Sequence, residues 1–412
     1  MLTEQEMNQV ANWAKANEKW KLLGFFSDLP RRIVIPRPTL LGSEGGNDFL
    51  VHGDTVTSAV IGELYFLDDH YFDDPSGIAV TKEFSRRQER FDGDFWQAIN
   101  EGQRHDPGKL CLAAHLGECT KPIVSAHSIQ ESELRSISRA DGHVYGFLFA
   151  GKHDHRNFSW PEPVGVNRAT TFTGVCSHHD NLLFREIETK PFLATKQQLF
   201  LFHYRSLLFE HYRRNHRYEK LKAIYNRLDL DGHAPHFESI KRILESNSHD
   251  VREIEAEKLA ADQYLTSGKL ITPTFACWTS DSEAPFAGTI AIGPQKDFLG
   301  RRVQSPASSA LLKWITLTIT PKAGKTVVII GANFSSGIMD TIVRSFDTIP
   351  PDDRMQVLIS YCLCCMEDMI IAPRFWESLN ETQKEAIVRT YKARLFPLEL
   401  PSLGKWRLDR MA

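Results

Sequence analysis

The fold is decided by a stretch that begins with C-L-A-A-H-L-G-E-C (111–119), continues with I-V-S-A-H-S-I-Q (123–130) and closes with F-T-G-V-C-S-H-H-D-N-L-L-F (172–184). Cysteine and histidine gather in this way where a bound metal holds a local fold together. The best set of four tetrahedral zinc ligands is Cys111, Cys119, Cys176 and His179. The alternative is that they are buried thiols and a surface histidine.

The spacing of these four residues predicts how the metal would be held. The C-x7-C pair would lie on an enlarged zinc knuckle, and the C-x2-H pair would place His179 in the first turn of a helix that follows Cys176. A knuckle, a β-hairpin and a helix start, in this order, form a treble clef. We therefore expect a zinc-stapled treble-clef ββα module built around structural Zn²⁺.

Composition limits the class of protein. A chain of 412 residues with 42% hydrophobic and 25% charged residues suggests two or three globular domains. The net charge of −3 argues against a basic coat over the whole surface but leaves room for a local basic patch. Seven cysteines, an odd number, and an N-terminus without signal-peptide features predict a cytoplasmic protein with free thiols. No apolar run has the roughly 18 residues of a membrane span.

We expect an α+β fold made of four regions: an N-terminal α+β region (1–105), the zinc module (106–194), a long helical hairpin (195–268), and a C-terminal domain (269–412) that is β-rich and mostly antiparallel, then helical. Helical patterns cover 3–22, 84–102, 195–228 and 236–267, with Thr195 as an N-cap and Leu199, His203 and Leu207 on one face. The nearly continuous apolar run 361–372 predicts a buried helix.

The second half of the helix over 195–228 is basic, and two interpretations of it remain open. It is either a solvated helix face or a face that contacts the phosphates of DNA or RNA. Its cations are Arg205, Arg213, Arg214, Arg217, Lys220 and Lys222.

The order C…C, a strand with A-H-S-I, and C-x-x-H-D at a helix start resembles the HNH (ββα-metal) nucleases. The resemblance implies that His127 is the general base acting on water and that Asp180 is the final ligand of a catalytic Mg²⁺ or Mn²⁺. The implied reaction is hydrolysis of nucleic-acid phosphodiesters. Residues 108–215 are also similar to a family of uncharacterised bacterial zinc-cluster proteins, and a role in bacterial defence or DNA processing would suit this architecture.

The chain departs from the HNH pattern at two positions. Ala126 stands where the family has an acidic ligand, and Thr171 stands where it has asparagine. The site would then be inactive, or would use His143, Asp180 and Glu188 in another geometry. His127 could also be a zinc ligand or a hydrogen-bonded structural histidine. Two further hypotheses are a non-catalytic zinc module that binds nucleic acid or a protein partner, and a structural zinc site in a protein whose function lies in the C-terminal β region.

Overall fold

The computed structural model describes residues 32–35, 47–52, 55–58, 97–99, 101–102, 104–147, 160–228, 234–268, 271–305, 311–334 and 337–393. The chain divides into two compact units. One comprises Met1–Pro107 and His216–His249, and the other comprises Gly108–Asn215 and Asp250–Ala412. The predicted helix over 3–22 and the histidines at 153 and 155 lie outside the described residues.

The first unit contains a three-stranded antiparallel sheet in the order β1-β2-β3. Its strands are β1 (Arg32–Ile35), β2 (Asn47–His52) and β3 (Thr55–Ser58). β1 pairs with β2 from Asn47 onward, and β2 pairs with β3. These strands agree with the expected N-terminal α+β region.

The second unit begins with two paired strands and a helix. β4 (Ile123–His127) pairs antiparallel with β7 (Thr171–Cys176), and α2 (Ser177–Thr189) follows directly. Between β4 and β7 the chain forms α1 (Glu131–Ile137), β5 (His143–Gly146) and β6 (Glu162–Gly165). The strand, strand and helix therefore occur in the predicted order, with a long insertion between the two strands.

Two long helices follow, α3 (Lys196–Tyr225) and α4 (Ala234–Ser267), and both confirm the predicted helical segments. The Thr195 hydroxyl accepts a hydrogen bond from the Gln198 backbone N–H at 3.2 Å, as expected of an N-cap. Leu199, His203 and Leu207 are buried, and the burial extends around the whole helix, since every residue from 198 to 210 is buried. The reason is that this half of α3 packs against both the β4–β7–α2 segment and the large sheet.

The β-rich region supplies four strands, namely β8 (Thr274–Ser280), β9 (Phe286–Ile292), β10 (Ile315–Lys322) and β11 (Lys325–Ala332). β10 and β11 are joined by Ala323 and Gly324, whose φ angles are +51° and +77°. Two consecutive positive φ values are characteristic of a type I′ hairpin turn. The segment Gly324–Lys325–Thr326 is thus part of this hairpin and does not form a phosphate-binding loop.

The C-terminal region consists of α5 (Gly337–Asp347), α6 (Pro351–Cys365), β12 (Ile370–Ile371), α7 (Pro373–Ser378) and α8 (Glu381–Ala393). The helix expected over 361–372 is wrong in its second half. α6 ends at Cys365, and Ile370 and Ile371 pair instead with β5 and β9.

The large sheet has seven strands in the order β6-β5-β12-β9-β10-β11-β8, and every neighbouring pair is antiparallel. Leu317 and Ile319 on one face join a core with α5, α6 and α8, whereas Val327 and Ile329 on the other face join the core around α3. Both faces are buried, so β11 is apolar almost throughout, whereas β10 alternates isoleucine or leucine with the buried threonines Thr316, Thr318 and Thr320. The protein is α+β, as expected.

Candidate functional site

The four predicted ligands meet in one place. Cys111 and Cys119 flank a 3₁₀ turn (Ala114–Leu116), Cys176 is the last residue of β7, and His179 lies in the first turn of α2. The three sulfur atoms and one imidazole nitrogen all lie within 4.8 Å of one another. This group could hold a metal ion.

The distances inside the group resemble those around a tetrahedral ion. The Nδ1 atom of His179 lies 3.2 Å from Cys176 Sγ, 3.4 Å from Cys111 Sγ and 3.7 Å from Cys119 Sγ. Zinc–sulfur and zinc–nitrogen bonds of usual length at a tetrahedral angle would separate nitrogen from sulfur by about 3.6 Å. His179 therefore presents Nδ1 as the donor atom.

The electrostatics of the thiols favour a cation between them. Cys119 is exposed, but local desolvation and the neighbouring Cys111 thiol raise its pKa to about 11. Burial also opposes ionisation of Cys176, but hydrogen bonds from the His179 backbone N–H and from the other thiols bring its pKa below the usual value. Adjacent thiolates repel one another, so all three can be ionised together only beside a compensating positive charge.

The segment between Cys111 and Cys119 is anchored by His115, whose role the sequence did not reveal. His115 Nε2 lies 3.3 Å from the buried carboxylate of Asp262. That carboxylate also accepts hydrogen bonds from Tyr204 Oη at 2.7 Å and from Lys258 Nζ at 2.6 Å. Tyr204 belongs to α3, and Lys258 and Asp262 belong to α4. This network therefore fixes the 111–119 segment to both helices.

A cavity of about 400 Å³ lies between β4, α1 and α2, and none of the four Cys₃His residues lines it. His127, at the end of β4, and Asp180, directly after His179, both line it. His127 Nε2 lies 3.0 Å from the backbone oxygen of Val166. A carbonyl oxygen can only accept, so Nε2 carries the proton and Nδ1 is the basic nitrogen. His127 is not part of the Cys₃His group.

The Asp180 carboxylate is affected by burial and by the charges around the cavity. Burial raises the pKa of Asp180, the charge of Glu188 raises it further, and Arg205 and His127 oppose the shift. Glu188 also lines the cavity and forms an ion pair with Arg205, whose side chain is almost fully buried over the Phe184 ring. Arg205 does not line the cavity, but its charge compensates the negative charges of Glu188 and Asp180.

The other sequence candidates lie elsewhere or offer no ligand. Ala126 is buried and packs in the core beside Phe172, and the Thr171 hydroxyl donates to the Arg168 backbone oxygen at 3.1 Å. His143 Nδ1 is 3.2 Å from Asp141 and does not line the cavity. Across the described residues, the Cys₃His group is the single set of three or more histidine, cysteine, aspartate or glutamate side chains that lie close enough together to hold an ion.

Several cations of the basic helix are paired internally. Arg205 pairs with Glu188, Arg213 pairs with Glu210 and Glu367, and Arg214 lies 2.6 Å from Glu210 and 2.7 Å from Asp250. These three arginines are therefore poorly placed to contact phosphates. Arg217 and Lys222 are exposed.

Comparison with models of protein families, with curated proteins and with solved structures found no match to this chain. None of the helices in the described part has both the length and the apolar character needed to cross a bilayer.

Proposed function

We propose that the protein is a metal-dependent endonuclease of the HNH type, which hydrolyses nucleic-acid phosphodiesters. The observation that carries this proposal is that His127, with its Nε2–H fixed by Val166, lines one cavity with Asp180, the residue directly after His179 of the Cys₃His group. The strand–strand–helix arrangement of β4, β7 and α2 is the framework that the HNH resemblance implies. A role in bacterial defence or DNA processing belongs to the same proposal.

In this proposal Zn²⁺ occupies the Cys₃His group as a structural ion of a treble clef. Three thiolates and one imidazole are a donor set that selects zinc over Mg²⁺ and Ca²⁺, which prefer oxygen ligands. All four protein ligands are present, so no position is left open for a substrate. A zinc ion held there would fix the start of α2 at His179, the residue before Asp180, and would have no open position for hydrolysis.

The cavity supports the chemistry through two side chains. Asp180 offers the oxygen donor that Mg²⁺ or Mn²⁺ prefers, and Mg²⁺ commonly keeps water and substrate oxygens in its remaining positions. A bound divalent ion would polarise the phosphate and stabilise the leaving oxygen. His127 Nδ1 accepts a proton from the attacking water, whose oxygen then bonds to phosphorus as the bond to the leaving oxygen breaks.

A second candidate is a non-catalytic zinc module that binds nucleic acid or a protein partner. Ala126 and Thr171 favour it, because neither supplies the carboxylate or amide that the HNH resemblance calls for at these positions. The two candidates differ in whether bound nucleic acid is cut.

The test is to incubate the purified protein with plasmid DNA and with RNA in Mg²⁺, Mn²⁺ or a chelator. We expect metal-dependent cleavage that falls by about 10²–10⁴ in His127→Ala, because a general base contributes roughly this factor. His143→Ala is the matched control, since His143 lies outside the cavity, and it should keep full activity. Equal cleavage by His127→Ala and the parent protein would refute the proposal. Salt-sensitive binding without cleavage would favour the second candidate.

A further inference from the structure

The cavity has an unequal distribution of charge. Glu131, Asp180 and Glu188 line it, and Arg135 is the sole arginine or lysine among the described residues that do so. Arg205 lies behind the wall and is committed to Glu188. A phosphodiester entering the cavity would therefore meet one protein cation, the guanidinium of Arg135.

The helix that carries Arg135 is firmly held. On the side of α1 away from the cavity, Leu134 and Ile137 are buried in a core, and the buried Glu133 pairs with Lys322 and accepts a hydrogen bond from Thr320, both on β10. The backbone of α1 is thus fixed to the large sheet. Glu131, Ser132 and Arg135 project from this fixed helix to the cavity.

The Arg135 side chain, by contrast, is easily released. Its ion pair is with Glu131, one turn away on the same helix, and the two side chains are 57% and 36% exposed. Exposed pairs of this kind contribute little free energy, so exchanging the carboxylate for another anion costs little. A guanidinium can also bind two phosphate oxygens at once, which an ammonium group cannot do with the same geometry.

We propose that Arg135 binds a backbone phosphate of the nucleic-acid substrate at this cavity, exchanging Glu131 for the phosphate. The inference rests on the proposed nuclease function and assigns the substrate contact to the short helix α1, away from the basic half of α3. Glu131 is then a competitor that weakens binding until substrate arrives.

The experiment compares Arg135→Gln and Arg135→Lys with Arg185→Gln, an exposed arginine of α2 that does not line the cavity. Binding of a fluorescein-labelled DNA duplex and of single-stranded RNA is followed by anisotropy over a range of salt concentrations. Loss of one phosphate contact should weaken binding by about tenfold at low salt. It should also reduce the slope of log K against log salt by about 0.9 for duplex DNA or about 0.7 for a single strand.

Removing the charge of Glu131, which competes with the phosphate for Arg135, should change the binding affinity in the opposite direction. Glu131→Gln should tighten binding by about threefold, because it removes an exposed pair of small free energy. Arg135→Lys should recover part of the affinity. In cleavage assays Arg135→Gln should raise KM more than it lowers kcat. An unchanged salt slope in Arg135→Gln, or an equal loss in Arg185→Gln, would overturn the assignment. Absence of cleavage by the parent protein would instead refute the nuclease, since the anisotropy result does not depend on cleavage.

Discussion

At the scale of single residues, His203 shows how a buried histidine connects α3 to the large sheet. Its Nε2 lies 3.0 Å from Asn333 Oδ1, and Asn333 in turn donates from Nδ2 to the Glu257 backbone oxygen at 2.8 Å. Nε2 is therefore the protonated nitrogen, and Nδ1 accepts from the Thr316 hydroxyl at 2.8 Å. Burial lowers the pKa of His203 to about 4. The fold thus requires the neutral imidazole.

This histidine should make the protein less stable in acid. In the unfolded chain its pKa returns to about 6.5, so between these two values the unfolded state binds a proton that the folded state does not. The contribution of neutral His203 to the free energy of unfolding is fully present above pH 6.5 and decreases as the pH drops toward 4. At pH 5 the loss from this group alone is about 2 kcal/mol. Urea midpoints at pH 8 and pH 5 measure the loss. The His203→Gln variant should be less stable than the parent protein at pH 8 but should lose less stability between pH 8 and pH 5. An equal loss of stability in both proteins would contradict the assignment.

Part of the candidate site was readable residue by residue. Cys111, Cys119, Cys176 and His179 could be grouped because their spacing matches a knuckle and a helix start, which are local features. The partner of His127 could not be found, because Val166 lies 39 residues away and contributes a backbone atom. Likewise His115 stands within the knuckle sequence, but nothing local indicates that Asp262 receives it.

At the scale of elements, a long periodic pattern was sufficient to predict a helix or strand, whereas short segments could not be assigned from the sequence. α3, α4 and β8 to β11 follow from long helical patterns and β-branched runs. The run 361–372 begins in a helix that ends at Cys365, and Ile370 and Ile371 then form a strand that pairs with β5 and β9. The pairing that decides this involves residues more than 80 positions apart, which local propensity does not encode.

The β10–β11 hairpin offers a test of a single element. Ala323 is exposed and has a φ of +51°, a conformation that costs an L-residue with a Cβ about 1 kcal/mol. Asparagine tolerates this conformation and precedes glycine in many type I′ turns. Ala323→Asn should therefore raise the free energy of unfolding by about 0.5–1 kcal/mol, measured by urea denaturation. Ala323→Val, which is β-branched, should lower it, and a loss of stability in both variants would argue against the type I′ turn.

At the scale of the whole molecule, segments distant in sequence share one sheet. β5 and β6 lie in the insertion between β4 and β7, yet they extend the sheet formed by β8 to β11, with β12 between the two groups. The strands on both sides of the predicted boundary at 194/195 are therefore hydrogen-bonded into one sheet. Each strand could be proposed from its composition, but their order depends on contacts of long sequence separation.

The Cys₃His group is connected to this larger core, which leads to a prediction about the removal of a bound metal. Ala113 of the knuckle, Phe184 of α2 and Leu207 of α3 belong to one buried cluster that also contains Val327 of the sheet. If zinc holds the knuckle to α2, its removal should loosen this cluster and destabilise the second unit by roughly 3–5 kcal/mol. Thermal unfolding with and without a chelator, beside zinc analysis of the purified protein, measures both quantities.

Single cysteine variants distinguish a bound metal from buried thiols. Cys176→Ser should reduce the zinc content from about one ion per chain to near zero and should reproduce the chelator's effect on the melting temperature, since a structural site of this kind needs all four ligands. Cys364→Ser is the matched control, because this half-buried thiol lies in α6 and outside the Cys₃His group. It should retain the zinc. If the purified protein contains no zinc, and a chelator does not change its melting temperature, then the four side chains meet without a metal. A zinc ion would then have no part in placing Asp180.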